Sequence, residues 1–172
     1  MKVLVVVDVQ NDFIDGALYN KYAIEKLENV CNFIKNWDGE IITTMDTHDS
    51  NYLNTIEGKN LKVPHCICGT KGWELCDEVK EALKGKEVIA NIIKHTFGYN
   101  DWNNIDFGEE PIEEFVVLGF DSEYCVINNV SGIKAAFPNV PLKVKEDCCA
   151  GCSPETHNLA FDLMKLWHVE II

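Results

Sequence analysis

Three side chains with complementary chemistry each follow a β-branched, apolar run: Asp8 in VVVDVQNDF, Lys94 in NIIKHTFGY and Cys125 in LGFDSEYC. A cysteine attacks as its thiolate, and a nearby lysine cation favours that form. A carboxylate beside it can take the thiol proton and return it to a leaving group. A fourth stretch, MDTHDSNYLNTIEGKNLKVPH, carries Asp46, His48, Glu57 and His65. Two imidazoles and two carboxylates suit Zn²⁺ first, with Fe²⁺ or Mn²⁺ as alternatives, and leave positions open for water or substrate. Asp46 and His48 alternate on one extended segment, so both side chains can face the same way. Asp49 is the rival of Glu57 for one ligand position.

Reactive groups at several strand ends call for an open α/β sheet, because ligands bind beyond the carboxyl ends of its strands. Val3–Val7 is continuously apolar, as a strand buried on both faces of a parallel sheet must be. Residues 22–37 place Ile24, Leu27, Val30, Cys31 and Ile34 at helical spacing, and Asp38-Gly39 stops that helix. Further strands are expected at Glu40–Met45, Glu87–Ile93, Phe115–Leu118, Leu142–Val144 and Val169–Ile172. Helices are expected at Trp73–Leu83, from Cys125 to Ala136, and from Pro154, a first-turn proline, to about Trp167. Residues 46–72 and 98–108 lack periodicity, and loops of that length in a compact domain are usually functional. This alternation predicts a three-layer α/β/α fold around a central, mostly parallel sheet, as one domain over residues 1–172. Right-handed crossovers put the motif-bearing strand ends on one edge.

Hydrophobic residues make up 47% of the chain and charged ones 25%, as in ordinary globular proteins. The net charge of −13 argues against nucleic acid or an anionic membrane as partner, since both need a basic face. No stretch reaches the roughly 18 apolar residues of a membrane span. The opening MKVLVVVDVQND reads as a core strand rather than a signal peptide, so a cytoplasmic location is expected. The eight cysteines are then expected as free thiols; Cys66, Cys68, Cys148, Cys149 and Cys152 do not form clean zinc knuckles.

The motifs, in this order, resemble the isochorismatase-like cysteine hydrolases, and within them the nicotinamidases. The D-x-Q-x-D-F opening is matched by Asp8, Gln10, Asp12 and Phe13. The D-x-H and P-H-C-x-x-G-T-x-G segments are matched by Asp46 and His48, then Pro64, His65, Cys66, Gly69, Thr70 and Gly72. The nucleophile segment is matched by Gly119, Ser122, Cys125 and Val126, with departures at Asp121, where a small apolar residue is usual, and at Glu123, where Asp is usual. The resemblance implies Cys125 as nucleophile, Asp8 as general acid/base and Lys94 as support for the thiolate. It also implies a cis peptide between Phe120 and Asp121, and an oxyanion hole from the backbone N–H groups of Asp121 and Cys125. Members use a His or a Glu as third metal ligand; no His lies between 49 and 64, which favours Glu57.

The activity so implied is hydrolysis of a small carboxamide, nicotinamide by default, through a thioester. The alternatives are a family member cleaving another small amide or carbamoyl compound, and a non-catalytic ligand-binding protein on the same fold. The resemblance also leaves a homo-oligomer open. Substrate contacts are expected from Phe13, Lys62, Phe97, Tyr99 and Tyr124. Lys62 stands where nicotinamidases usually place an aromatic ring wall, and a lysine there would favour an acidic or more polar ligand. Asp12 and Asp15 read as turn residues. His95, His157 and His168 offer no better base than Asp8.

Overall fold

A computed structural model describes the whole chain, Met1–Ile172. Its elements are β1 (Lys2–Val7), α1 (Asn11–Ile14), α2 (Lys21–Asn36), β2 (Glu40–Asp46), α3 (Ile56–Asn60), α4 (Asp77–Ala82), β3 (Val88–Lys94), β4 (Glu114–Phe120), α5 (Ile127–Ala136), β5 (Leu142–Ala150), α6 (Pro154–Leu166) and β6 (Glu170–Ile171). All six strands are parallel, in the order β3-β2-β1-β4-β5-β6. The order reverses between β1 and β4, which is where a doubly wound sheet opens a crevice at its carboxyl edge. Right-handed crossovers put α2 and α4, which pack on each other, on one face, and α5 with α6 on the other.

The central strands are buried for the reason their sequences suggest. Val3 to Val7 and Val116 to Leu118 are covered on both faces and belong to one hydrophobic cluster of 36 residues. Parallel pairing aligns Val7 with Thr44 on one side and Gly119 on the other, so the carboxyl ends of β1, β2 and β4 finish level. No helix is long and apolar enough to cross a membrane.

Three elements differ from the sequence expectation. The helix expected from Trp73 begins only at Asp77. Residues before it are pinned as a brace: the Trp73 carbonyl accepts from Gln10 Nε2 at 2.7 Å, its indole N–H donates to Thr47 Oγ1 at 2.8 Å, and Leu75 bridges antiparallel to Gln10. The helix expected from Cys125 starts as a wide π-type turn, Ser122–Val126, before α5 proper. β5 runs on past Val144 to Ala150, although Lys145, Glu146 and Asp147 interrupt its apolar pattern. Its register slips between Val144 and Cys149, and Glu146 N–H is used by the Ile172 carbonyl at 2.9 Å, so an irregular strand is held by main-chain partners.

Gly119 is the tightest point of the sheet beside the site. It has φ +127, and a Cβ there would fall on the Val7 carbonyl oxygen. Gly119→Ala combines a left-handed backbone with a main-chain clash, and is expected to destabilise the protein by about 3 kcal/mol or more, read from the urea midpoint.

Candidate active site

Asp8 follows β1, Asp46 ends β2, Lys94 ends β3 and Cys125 lies in the turn after β4. The sheet brings them together: Lys94 Nζ is 2.6 Å from Asp8 Oδ2, 3.4 Å from Cys125 Sγ and 3.5 Å from Asp46 Oδ1. All four side chains are buried. Thr44 Oγ1 donates to Asp8 Oδ1 at 2.6 Å, and Lys94 also donates to the Thr96 carbonyl at 3.2 Å. The Phe120–Asp121 peptide is cis.

Burial controls the protonation states of this group. It raises the Asp8 carboxyl despite the Lys94 charge. It would lower Lys94, but Asp8, Cys125 and Asp46 outweigh it and hold the ammonium charged well beyond neutral pH. Burial pushes the Cys125 thiol well above 9.0, and Lys94 only partly offsets that. The resting group is therefore a thiol beside an ion pair. The thiolate stabilisation expected from Lys94 and the helix start does not overcome desolvation and the two carboxylates.

The second cluster joins it through Asp46. Ligand atoms of Asp46, His48, Glu57 and His65 all lie within 4.8 Å of one another. His48 Nε2 and His65 Nε2 converge on Asp46 Oδ2 at 3.0 and 3.3 Å, and on Glu57 Oε1 at 3.4 and 3.6 Å. His65 Nδ1 donates to the Val63 carbonyl at 2.8 Å, which frees Nε2 as a ligand; this is how metal-binding histidines are oriented. Gln10 grips the Asp46 backbone from both sides, accepting from its N–H at 2.8 Å and donating to its carbonyl at 2.9 Å. The Tyr52 ring packs on both imidazoles, and its hydroxyl donates to the Leu61 carbonyl at 2.9 Å. This donor set fits a divalent ion. Asp49 stands outside it and accepts from Asn51 N–H at 2.8 Å in its own turn.

A cavity of ≈ 1000 Å³ opens over both clusters. Phe13, Phe97 and Tyr124 line it, with Asp46, Glu57, His65, Asp121 and Cys125. Lys62 and Tyr99 do not, which corrects two expectations. Lys62 is exposed, and its neighbour Leu61 faces the cavity instead, because Tyr52 ties the Leu61 carbonyl down and the chain leaves α3 at that residue. Tyr99 stacks edge-on against Trp102, 5.5 Å between centroids, in the core beside α5. Tyr19, Ile56 and Leu61 complete the cavity wall.

Several residues that shape the site carry little signal in the sequence. Asp12 accepts from Cys66 N–H at 2.6 Å and Ala17 N–H at 3.0 Å, tying the β1 loop to the metal loop. Its D-x-Q-x-D spacing was the available clue. Thr44 and Asn20 look like ordinary strand and cap residues. His157 accepts or donates at 2.8 Å with Ser122, behind the Cys125 turn, while His95 bonds the Thr47 carbonyl and His168 is exposed.

A profile of the isochorismatase domain matches residues 2–172. The chain belongs to the isochorismatase family. It is 24% identical to a nicotinamidase/pyrazinamidase of Mycobacterium tuberculosis, over all of this chain and 98% of that protein. Among solved structures it is similar to the pyrazinamidase/nicotinamidase of Streptococcus mutans, with a TM-score of 0.80, 24% identity and full coverage of both chains. It is also similar to the pyrazinamidase of Pyrococcus horikoshii solved in complex with zinc, with a TM-score of 0.75, 21% identity, and 99% and 98% of the two chains covered.

Two measurements test this geometry. Burial lowers the His48 imidazole, but Asp46 and Glu57 outweigh it and raise it from 6.5 to about 9. Without metal these pairs contribute stability below about pH 6.5 that is lost as pH rises through about 9. Zinc binding at pH 7 must then expel a proton, visible by titration calorimetry in buffers of different ionisation enthalpy. Lys94→Ala leaves Asp8 buried without its cation and should cost about 3–5 kcal/mol in chemical unfolding.

Proposed function

We propose that this protein is a metal-containing cysteine amidohydrolase that cleaves a small carboxamide to its acid and ammonia, with nicotinamide the default substrate. The observation that carries the reading is the chain of Asp8, Lys94 and Cys125 at the carboxyl edge of the sheet, with Lys94 Nζ 3.4 Å from Cys125 Sγ and 2.6 Å from Asp8 Oδ2. The nicotinamidase relatives support the same reaction class.

The thiol is neutral at rest, so attack and deprotonation go together. Sγ attacks the amide carbon while Asp8 takes the thiol proton. Lys94 stays charged, steadies the developing thiolate and holds Asp8 in place. The N–H groups of Asp121 and Cys125 receive the oxyanion. Collapse breaks the C–N bond, and ammonia leaves with the proton from Asp8. Water, giving its proton to Asp8, then attacks the thioester; the acid departs and the thiol is restored. A carboxyl raised by burial suits this double duty, because a less acidic group takes the proton more readily and still returns it. Asp46, His48, Glu57 and His65 would hold a divalent ion, zinc first, and that ion would supply a Lewis-acid contact for a ring nitrogen or other polar substrate group.

Phe13, Phe97 and Tyr124 are the aromatic residues assigned to substrate packing, and Leu61 replaces Lys62 as the neighbouring wall. Cys125→Ala is expected to lower ammonia release from nicotinamide by about a thousandfold or more, with unchanged circular dichroism and metal content. Iodoacetamide inactivation should follow alkylation of Cys125 by mass mapping; inactivation that followed Cys68 or Cys152 would reassign the nucleophile. Lys62→Ala should leave turnover within about twofold, because an exposed lysine outside the cavity contributes little.

A further inference from the structure

We propose that the Asp121 carboxylate, held by Asn20 and bordered by Cys152, is a recognition subsite for a basic amino group, and that the enzyme's preferred carboxamides carry one on an extension beyond a single ring. The proposal rests on the carboxamide hydrolase reading above and names the substrate class for that site.

The cavity has room for such an extension. Its ≈ 1000 Å³ lies at the upper end of the range for drug-sized ligands, about 300–1,000 Å³, and a one-ring amide fills only a small part. Strand order gives that space a direction. The metal-type cluster sits beyond β2, Cys125 beyond β4 and Cys152 beyond β5, with neighbouring strands about 4.8 Å apart. A ligand with its amide at Cys125 and one edge toward Asp46 leaves the side walled by Asp121 and Cys152 empty unless it extends that way.

The bonds that Asp121 makes within the chain do not require a charged carboxylate. It stands immediately before the Ser122–Val126 turn, where an aspartate could cap, yet its side chain makes no capping hydrogen bond. It is 9% exposed and faces the cavity. Oδ1 accepts from Asn20 Nδ2 at 2.8 Å, and Oδ2 accepts a weak bond from Cys152 Sγ at 3.6 Å. The Asn20 orientation is fixed, since its Oδ1 caps α2 by accepting from Tyr22 N–H at 3.0 Å and Ala23 N–H at 3.4 Å. Its remaining N–H donates to the Gly151 carbonyl at 3.1 Å.

A buried carboxylate is costly without a cation, and the protein supplies none. Lys21, the one lysine lining the cavity, holds its ammonium 4.8 Å from the centre of the Tyr22 ring. The charged neighbours that act on Asp121 are Glu123 and Asp8, both acidic. Glu123 Oε1 is engaged by the chain beyond β5, accepting from Cys152 N–H at 2.9 Å and Thr156 Oγ1 at 2.6 Å, while its Oε2 is buried without a hydrogen-bond partner and adds negative charge beside Asp121. Burial raises Asp121, against the Asn20 hydrogen bond, to about 7, so an arriving ammonium readily draws it into the charged form. An ammonium there would also serve the reaction. The Asp121 N–H is one of the two assigned to the oxyanion under the proposed function, and an uncompensated carboxylate on the same residue would oppose the developing charge.

The test compares isosteric amides. Ammonia release is measured on nicotinamide and on nicotinamides bearing aminomethyl or ethyl at ring positions 4, 5 and 6, with zinc-loaded wild type, Asp121→Asn and Asp121→Ser. The expected result is an aminomethyl-over-ethyl ratio of kcat/KM of at least tenfold at one position or more, falling at least fivefold in whichever variant folds. A wild-type ratio below tenfold at every position, or a ratio that survives in the variants, overturns the subsite. Turnover of nicotinamide with no amine preference would sink the subsite alone, whereas no ammonia from any amide would sink the hydrolase reading beneath it.

Discussion

The Lys94 ammonium, fully enclosed among Asp8, Asp46 and Cys125, is the charge around which this carboxyl edge is arranged. Desolvating it costs several kcal/mol, and only close carboxylates and the Thr96 carbonyl make it tolerable. It needs Asp8 and Asp46 on parallel strands that end level, which the β1–β2 and β2–β3 registers provide. The same pairing holds Asp46 well below the usual carboxylate range: burial would raise it, but His48, His65 and Lys94 together prevail. One buried cation thus joins the proposed nucleophile to the metal-type cluster. Asp46 belongs to both, with Oδ1 turned toward Lys94 and Oδ2 toward the imidazoles.

A site built from strand ends still needs its loops held, and here polar side chains do that work. Gln10 clamps the Asp46 backbone and the Trp73 carbonyl, Asn11 reaches the Lys71 carbonyl at 2.7 Å, and Asp12 takes two backbone N–H groups. Gly72 is bare because a side chain there would strike the Asp12 carboxylate. The long segment after β2 is therefore a strapped structure with α3 inside it. That arrangement brings Glu57 and His65 back to Asp46 across many residues of chain.

Residue type and local spacing singled out most of the candidate residues that the fold brings together. Asp8, Lys94 and Cys125 announce themselves because each ends an apolar run that must be a buried strand, and a reactive group there has few other places to point. Asp46 and His48 share a face by strand periodicity alone. What local pattern misses is set by neighbours distant in sequence. Trp73 sits in a helical-looking run but is captured by Gln10 and Thr47, so α4 starts late. β5 continues through Lys145–Asp147 because Ile172 takes the Glu146 N–H and pairing with β4 resumes at Cys149. Lys62 and Leu61 are adjacent, and which of them meets the cavity depends on the Tyr52 hydroxyl, which no spacing rule predicts.

That single-residue offset changes how ligand selection is understood. With Lys62 in solvent, the part of the cavity wall formed by Ile56, Leu61 and Tyr19 is apolar, and Lys62 supplies no charge to favour an acidic ligand. The polar discrimination must come from elsewhere in the cavity. Asp46 and Glu57 are committed to the imidazoles, and a bound divalent ion would offset their charge. Asp121 has no such partner, and it stands immediately before the turn that contains Cys125. Under the proposed reading a charge placed there would act on binding and on the reacting carbonyl together, so selectivity at Asp121 would be expressed in the transition state rather than in ground-state affinity alone.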